Sequence, residues 1–387
     1  MPAYLDHAAT TALSPAALEA MRTWLGERVG NPSGSHGPAR AARQAVDEAR
    51  DQVASALGTT PGDVVFTSGG TEAANLAVVG RALAVPGTVV VSAVEHHCVL
   101  NAAEAAARLA GAEVRVVPVG RHGVVDLDAL RDALDRTVTV VSVQLVNNET
   151  GVLQPLAEVC RLARRRSPQA VVHTDAVQAV PWFDVAAMAA DADMISISGH
   201  KFGGPQGVGA LAFRSPVALR PLTFGGPQER ERRAGTHNVA GIVGLAAALA
   251  DVVVGRAGAS ARVAGLRDRL RSGLLAAVDG VQETAPGQAK APGHCHLIVE
   301  GVESEALLVL LDELGIAASA GAACASGAIG ASHVVTAMGY PSAMARGALR
   351  LTLGHTTTGD EVELALAAVP AAVAQLRRPR LALREAV

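Results

Sequence analysis

The stretch from Ile195 to Gly209 reads ISISGHKFGGPQGVG, and the interpretation of the fold starts from it. Its first residues form an apolar pattern that predicts a buried strand, and its glycines predict a tight turn after Lys201. Open α/β sheets place their ligand sites at the carboxyl ends of such strands. Lys201 is therefore predicted to lie in a binding site.

Lysine is rare in this chain. Lys201 and Lys290 are its two lysines, although lysine and arginine together number 33. An amine can lose its proton and attack a carbonyl carbon to form a Schiff base, whereas guanidinium stays protonated. Lys201 is therefore a candidate for covalent chemistry, and the alternative is a surface lysine. Lys290 lies in the segment GQAKAPG, which predicts an exposed, mobile loop.

Length and composition limit the possible classes. The 387 residues suit a large domain plus a smaller one. The most apolar segment, Ile242 to Val254, is too short to cross a bilayer, and the N-terminus lacks the pattern of a secretory signal. We therefore expect a cytoplasmic protein without membrane contact. The net charge of −3 argues against direct nucleic-acid binding, and four irregularly spaced cysteines argue for free thiols.

Strand and helix patterns alternate along the first part of the chain. Runs of β-branched residues bounded by helices predict strands buried on both faces, and hence an α/β protein with a mostly parallel sheet. The expected strands are 64–68, 88–94, 114–119, 138–146, 171–177, 194–198 and 209–213, and the expected helices between them are 71–84, 98–110, 127–134 and 156–166. An apolar helix at 239–253 and an arginine-rich helix at 259–277 follow, with a domain boundary expected near Gly255 to Gly258.

Two motifs at predicted strand ends suit a phosphorylated cofactor. In TSGGTEA, the small residues allow backbone N–H groups to approach an anion, and Thr71 adds a hydroxyl. In HTDAVQ, Asp175 and Gln178 are predicted to face the same region as Lys201. A buried Asp could pair with the pyridinium nitrogen of pyridoxal phosphate. An ordinary turn at the first motif and an ion pair of Asp175 with an arginine are the alternatives.

Histidine and cysteine motifs complete the set of candidates. His96, in EHHCVL, could stack on a flat ring and exchange protons. Metal binding by residues 96–98 or 294–296 is disfavoured, because adjacent residues seldom converge on one ion. Cys324 lies in a segment of small residues and is predicted to be an accessible, reactive thiol, or else a small filler residue. Arg350, within a strand pattern, could bind a substrate carboxylate or form an internal salt bridge.

Together these motifs resemble those of cysteine desulfurases of the NifS/IscS type, within the class V aminotransferase family of fold-type I pyridoxal-phosphate enzymes. The resemblance covers nearly the whole chain, in the order YLDHAATT, GNPSGSH, FTSGGTEAANLA, EHHCVL, VNNETGVLQP, HTDAVQA, DMISISGHKFGGPQGVGA, GGPQERERRAGTHNVAGIVGLA and LRLTLG. It implies a large domain with a mostly parallel seven-stranded sheet and a smaller α+β C-terminal domain. We assign 1–14 to an N-terminal segment that packs with the small domain, 15–256 to the large cofactor-binding domain, and 257–387 to the small domain with the cysteine loop.

The resemblance also implies roles for individual residues. Lys201 would bind pyridoxal 5'-phosphate covalently, Asp175 would face the pyridine nitrogen and His96 would stack on the ring. Cys324 would accept the sulfur, and Arg350, with Asn31 nearby, would hold the substrate carboxylate. The other implied cofactor contacts are Asn148 and Gln178 at the pyridoxal hydroxyl, Gly70, Thr71, Ser198 and His200 at the phosphate, and Thr236 from a second subunit. No metal is implied.

The implied activity is conversion of L-cysteine to L-alanine by a homodimer. The sulfur would form a persulfide on Cys324 and pass to an acceptor protein, either an iron–sulfur scaffold or a sulfur-relay protein for thiolation. The alternatives are selenocysteine lysis or transamination on the same cofactor, and a catalytically silent scaffold. Three departures from the family pattern are SAGAACAS around Cys324, His7 in place of Asn and His237 in place of a common Glu.

Overall fold

The structure is a computed structural model that describes residues 2–321 and 331–378. These residues form three β-sheets. Their strands in chain order are β1 (Ala3–Tyr4), β2 (Val64–Thr67), β3 (Thr88–Ser92), β4 (Val114–Val117), β5 (Val138–Ser142), β6 (Val171–Asp175), β7 (Met194–Ser198), β8 (Gly209–Phe213), β9 (Val281–Glu283), β10 (His294–Val299), β11 (Ile316–Ala317) and β12 (Ala348–Thr352).

Helices connect the strands. In chain order they are α1 (Pro15–Leu25), α2 (Gly37–Leu57), α3 (Gly70–Ala84), α4 (His97–Ala110), α5 (Leu127–Ala133), α6 (Leu156–Arg166), α7 (Val185–Met188), α8 (Val239–Ala277), α9 (Ser304–Glu313), α10 (His333–Ala337), α11 (Ser342–Ala345) and α12 (Gly359–Arg377). Several of them begin at caps that the sequence supplies. The Ser14 hydroxyl accepts the Ala17 N–H at the start of α1, and Thr358 forms a capping box with Glu361 at the start of α12.

The largest sheet has seven strands in the order β2-β8-β7-β6-β5-β3-β4. Strand β8 runs antiparallel to β2 and β7, and the other neighbouring pairs are parallel. Alternate residues of β3 pack on opposite faces: Val90 belongs to one apolar cluster, and Val89 and Val91 belong to another. The prediction of a mostly parallel sheet is therefore confirmed, and its strands are buried on both faces except at the edge strand β4, where Val116 is exposed.

Strands β3, β5 and β6 end earlier than the apolar patterns predict. Strand β3 ends at Ser92, β5 ends at Ser142 and β6 ends at Asp175, two to four residues before the predicted ends at 94, 146 and 177. The chain leaves the sheet at these points, but most of the residues up to the predicted ends remain buried. An apolar run indicates burial but not hydrogen bonding in a sheet, so the predicted strands were too long.

The C-terminal part contains a second sheet, antiparallel, in the order β12-β10-β9. The N-terminus contacts this part of the chain. Strand β1, which the sequence did not predict, pairs in parallel with β11, and the Leu5 carbonyl accepts the Thr352 N–H. The division into domains at 1–14, 15–256 and 257–387 remains a prediction.

Two sequence-based expectations are wrong. Helix α8 is one continuous helix of 39 residues, so the expectation of two separate helices at 239–253 and 259–277 is wrong, while the domain boundary near Gly255 to Gly258 stays a prediction. Glycine lowers helix propensity by only about 1 kcal/mol, and the neighbouring residues outweigh that cost. Lys290 is not in an exposed, mobile loop: its side chain is 5% exposed and forms a 2.7 Å ion pair with Glu283.

Helix α8 is also, within the described ranges, the one helix that is long and apolar enough to span a membrane. Half of its apolar window is buried inside the protein. Its N-terminal half supplies several core residues, including Ile242, Leu245 and Leu249. A core helix passes the same test of length and composition, so this finding does not indicate a membrane span.

Candidate active site

The carboxyl ends of β3, β5, β6 and β7 meet at a cavity of about 510 Å³. This edge of a parallel sheet is where α/β proteins bind their ligands. Most of the candidate residues lie here. Those that line the cavity are Gly70, Thr71, His96, Asn148, Asp175, Gln178, Ser198, His200, Lys201 and Arg350.

The amine of Lys201 is held by backbone carbonyls. Lys201 ends a short 3₁₀ turn after β7, and its Nζ donates to the Ala8 oxygen at 2.6 Å and to the Ala9 oxygen at 2.8 Å. The Gln178 side-chain amide donates to the same Ala8 oxygen at 2.8 Å. The N-terminal segment thus forms one wall of the cavity and fixes the position of the lysine.

Asp175 is a buried carboxylate at the end of β6. Its Oδ1 accepts the Val177 N–H at 2.9 Å, and its Oδ2 lies 4.0 Å from Cys98 Sγ. Burial raises the pKa of Asp175 to about 6, and the Val177 N–H and the Lys201 charge partly oppose this rise. Among the described residues, no arginine forms an ion pair with Asp175. Its carboxylate is therefore suited to a cationic ligand group.

His96 precedes α4 and caps it. Its Nδ1 accepts the Cys98 N–H at 3.1 Å, which fixes the orientation of the imidazole against the cavity. Burial, together with the nearby Lys201 charge, lowers the pKa of His96 to about 4. The ring is therefore neutral near pH 7 and can lie against a flat ligand without adding charge.

The start of α3 has the features of an anion site. A Cβ on Gly70 would lie 2.8 Å from Val177 Cγ2, so this position has no room for a side chain. Ser198 and His200 line the cavity beside this helix end, and His200 Nδ1 is 3.2 Å from Thr10 Oγ1. Backbone N–H groups and the helix dipole at such an end favour a phosphate.

Arg350 forms an internal salt bridge and also lines the cavity. Its Nη2 lies 2.7 Å from Asp6 Oδ1, and its Nη1 donates to the Asn148 carbonyl at 3.0 Å. Its buried Nε has no hydrogen-bond partner among the residues that the structure describes. The internal salt bridge therefore leaves a donor of the guanidinium unused.

Two of the described candidates do not line the cavity, and a third candidate lies outside the described residues. Asn31 and Thr236 are exposed and do not line it in this single chain. Cys324 lies outside the described residues, so its predicted role stays a prediction. Within the described ranges, no group of three or more His, Cys, Asp or Glu side chains is arranged to hold a metal ion.

Two acidic residues, one lining the cavity and one buried nearby, were missed by reasoning from the sequence. Glu72 lines the cavity and pairs with Arg233 at 2.9 Å, which places a compensated carboxylate near the anion site. Glu95 is fully buried, and its Oε1 accepts the Gln144 N–H at 2.7 Å. Burial raises the pKa of Glu95 well above its ordinary value. An acidic residue directly after a β-branched run was the available signal for Glu95.

The cavity suits a flat cofactor that carries an aldehyde, a basic ring nitrogen and a phosphate. An amine, a buried carboxylate and a helix N-terminus meet there. In addition, Asn148 Oδ1 is buried, and it lacks a partner within the described part of the chain. A buried polar atom costs free energy unless it is hydrogen-bonded, so this oxygen is suited to a ligand donor.

Comparison with known proteins identifies the family. The sequence profile of aminotransferase class V matches residues 3–365. The chain belongs to this family. This membership implies pyridoxal phosphate as the family's cofactor, in agreement with the residues that line the cavity.

Individual relatives show which members of the family this chain is similar to. The chain is 44% identical over 389 residues to an IscS-like cysteine desulfurase of Mycobacterium tuberculosis, covering 98% of both chains. Among solved structures it is similar to a NifS-like protein with a TM-score of 0.90 and 33% identity, covering 97% of this chain and 100% of that one. It is also similar to SspA in complex with cysteine, with a TM-score of 0.79 and 29% identity, covering 92% and 99%. Within its family, the chain is therefore of the NifS/IscS type.

Proposed function

We propose that this protein is a pyridoxal 5'-phosphate-dependent cysteine desulfurase, which converts L-cysteine to L-alanine and transfers the sulfur to Cys324. The observation that carries the proposal is the convergence of Lys201, Asp175 and His96 in one cavity of a chain whose curated relatives are cysteine desulfurases. The intact site argues against a catalytically silent scaffold, because such a scaffold would be free to lose these residues.

The residues of the cavity would hold the cofactor in a defined orientation. Lys201 would bind its aldehyde carbon, Asp175 would bind its ring nitrogen and His96 would lie against its ring. Its phosphate would bind at the start of α3 with Ser198 and His200, and its hydroxyl region would lie near Asn148 and Gln178. When bound, pyridoxal phosphate supplies an electron sink for the carbanion that forms at the substrate Cα.

The protein's own groups then bind the substrate and move its protons. Arg350 would hold the substrate carboxylate through its unused donor. Lys201 would also accept the Cα proton, since its amine lies in the cavity. A carboxylate at Asp175 would retain a proton on the ring nitrogen, because its burial favours a cationic partner.

Sulfur transfer is assigned to Cys324 from the sequence. Its thiolate would attack the substrate sulfur and form an S–S bond, while the substrate Cβ–S bond breaks and its electron pair stays with the carbon skeleton. Protonation of that carbon and return of a proton from Lys201 to Cα complete L-alanine, and Cys324 is left as a persulfide. No external oxidant or reductant is needed, because oxidation of the sulfur to the persulfide level is matched by reduction of the substrate Cβ to the methyl carbon of alanine.

The assembly and the acceptor are part of the same proposal. We propose a cytoplasmic homodimer in which the exposed Thr236 of each chain reaches the cofactor phosphate of the other. The persulfide would be passed to an iron–sulfur scaffold or a sulfur-relay protein. Exposed apolar residues on or after α1 and at Phe224 offer a surface for the second copy, namely Leu18, Leu25, Val29 and Phe224.

Product analysis tests the reaction. The purified protein, loaded with pyridoxal phosphate, should convert L-cysteine to equal amounts of L-alanine and reducible sulfur. Parallel incubations with selenocysteine, and with cysteine plus an amino-group acceptor, distinguish selenocysteine lysis and transamination. Formation of a keto acid in place of alanine, or turnover restricted to selenocysteine, would contradict the proposal.

A further inference from the structure

Glu149 lies beside the active site and has no part in the chemistry described above. Its backbone is fixed in the turn Asn147–Gly151: Asn147 Oδ1 accepts the N–H groups of Glu149 at 3.0 Å and of Thr150 at 2.8 Å. Asn147 Nδ2 in turn donates to the Val94 carbonyl at 3.0 Å, after β3. Glu149 is 1% exposed. It is therefore a buried carboxyl on a rigid support.

The Glu149 carboxyl contacts the chain on both sides of residues 322–330. On the C-terminal side, Ser332 Oγ donates a hydrogen bond to Glu149 Oε2, and the same hydroxyl accepts the Val335 N–H at 3.1 Å as the cap of α10. On the N-terminal side, Gly321 packs so closely that a Cβ there would lie 2.6 Å from Oε2. Gly321 also has a φ of +85°, a second reason for glycine.

Both flanks have further links to the active site. The Gly321 N–H donates to Ser319 Oγ at 3.2 Å, and Ser319 pairs with Arg350 through two backbone hydrogen bonds. On the other flank, His333 Nε2 is 2.9 Å from the Glu95 carbonyl, and its ring centre lies 4.4 Å from that of His97. Glu149 thus joins two flanks that are each attached to a residue next to the cofactor pocket.

The electrostatic surroundings are compatible with this linking role. Burial raises the pKa of Glu149, while the Ser332 hydroxyl and the charges of Arg350 and His97 oppose the rise. A carboxyl oxygen can accept the Ser332 hydrogen bond in either protonation state. A glutamine amide oxygen could therefore replace it, whereas an alanine could not.

We propose that Glu149 is a positioning residue for sulfur transfer, which fixes the two flanks of the stretch that carries Cys324 relative to the cofactor pocket. The role in transfer rests on the proposed function; the anchoring of the flanks does not. Removing the carboxyl should leave the residues that bind the cofactor in place, because Glu149 does not line the cavity. It should slow the formation of the persulfide on Cys324.

The test compares Glu149→Ala with Glu149→Gln and with the exposed control Glu305→Ala, all loaded with pyridoxal phosphate. Hydrogen exchange of the α10 amides reports the anchoring without any turnover. Quenched-flow mass spectrometry reports the rate of persulfide formation on Cys324, and cofactor absorbance reports the cofactor pocket. Gly321→Ala is a second variant of the same contact, because its methyl group would collide with Oε2.

We expect Glu149→Ala to exchange the α10 amides several-fold faster and to form the persulfide roughly 10- to 100-fold more slowly, with unchanged cofactor absorbance. Glu149→Gln should restore most of both effects, and Glu305→Ala should match the wild type. Gly321→Ala should resemble Glu149→Ala in the exchange of the α10 amides, which is its readout because Gly321 itself lines the cavity. Unchanged exchange and unchanged persulfide formation in Glu149→Ala would overturn the inference, as would loss of cofactor absorbance in both Glu149 variants. If the wild type forms no persulfide while α10 exchange still responds, the anchoring stands and the proposed function fails.

Discussion

At the scale of single residues, two properties of Lys201 matter: the reactivity of its amine toward an aldehyde, and the backbone carbonyls that bind this amine. The carbonyls of Ala8 and Ala9 could bind any cationic side chain at this distance. Covalent attachment of an aldehyde, in contrast, requires an amine that can lose its proton. A substitution at Lys201 can therefore separate the effect of its positive charge from the effect of its reactive amine.

Replacing Lys201 by arginine should keep the charge and remove the chemistry. We expect Lys201→Arg to lose the visible absorbance of the bound cofactor and to lower desulfurase activity by about 1,000-fold or more. Lys290→Arg is the matched control, since its ion pair with Glu283 lies outside the cavity, and it should retain both properties. Absorbance spectra of the two variants provide the measurement; normal cofactor absorbance in Lys201→Arg would contradict the assignment.

Asp175 predicts a pH dependence of stability in the cofactor-free protein. Its pKa is about 6 when folded, against an ordinary value of 3.8, so the folded state binds the proton more tightly. This group's contribution to stability is therefore fully present below pH 3.8 and is lost as the pH rises to about 6. Each pKa unit corresponds to about 1.4 kcal/mol, so the loss amounts to about 3 kcal/mol.

Asp175→Asn should remove this dependence, because asparagine does not titrate. We expect the cofactor-free variant to be up to about 3 kcal/mol more stable than the wild type at pH 7 and close to it at pH 4. Urea unfolding at the two pH values measures the difference. The exposed Asp191→Asn should follow the wild type at both pH values. A stability difference for Asp175→Asn that stayed the same at both values would disprove the buried-carboxylate account.

At the scale of elements, the continuity of α8 is testable through its glycines. Ideal Cβ atoms on Gly255 and Gly258 would meet no atom within 4 Å, and both positions have helical backbone. We expect Gly255→Ala and Gly258→Ala each to raise the free energy of unfolding by about 0.5–1 kcal/mol. Gly244→Ala should gain less or destabilise, because its Cβ would lie 2.6 Å from Met21. Urea unfolding curves that show no gain at 255 and 258 would indicate a loop there.

The sequence predicts elements best where local pattern and burial agree. The predicted bounds 156–166, 194–198 and 209–213 agree with α6, β7 and β8. The prediction failed where the signal was not local. Glycines favoured a break in α8, but packing of its N-terminal half and the flanking helix formers outweighed them. Lys290 is buried beside Glu283, and β1 forms by pairing with β11, whose residues lie 313 positions later in the chain.

The candidate site follows the same rule. Residues at strand ends, such as Asp175 and Lys201, were predictable because parallel strands end at one edge of the sheet. The carbonyls of Ala8 and Ala9 were not predictable, because every residue has a backbone carbonyl and the residue type does not indicate which of them binds the lysine. Glu149 was also missed, since its contacts with Gly321 and Ser332 come from distant parts of the chain.

At the scale of the whole molecule, the fold brings distant parts of the chain to one cavity. The N-terminal segment contributes Ala8 and Ala9, the large sheet contributes Asp175 and Lys201, and the C-terminal antiparallel sheet contributes Arg350. In the proposed function, the substrate carboxylate and the cofactor would therefore be held by parts of the chain that meet only when the protein is folded. The proposed sulfur transfer also requires that the Cys324 thiolate reach the substrate sulfur in this cavity.

The most direct measurement of the whole account is a single turnover with L-[³⁵S]cysteine, followed by quantification of alanine and of label on each cysteine peptide. We predict one alanine for each labelled Cys324 in the wild type and in Cys160→Ala, whose thiol is buried in α6. Cys324→Ala should keep cofactor absorbance and lose both the label and the release of sulfide. Sulfide release by Cys324→Ala at the wild-type rate would contradict the account.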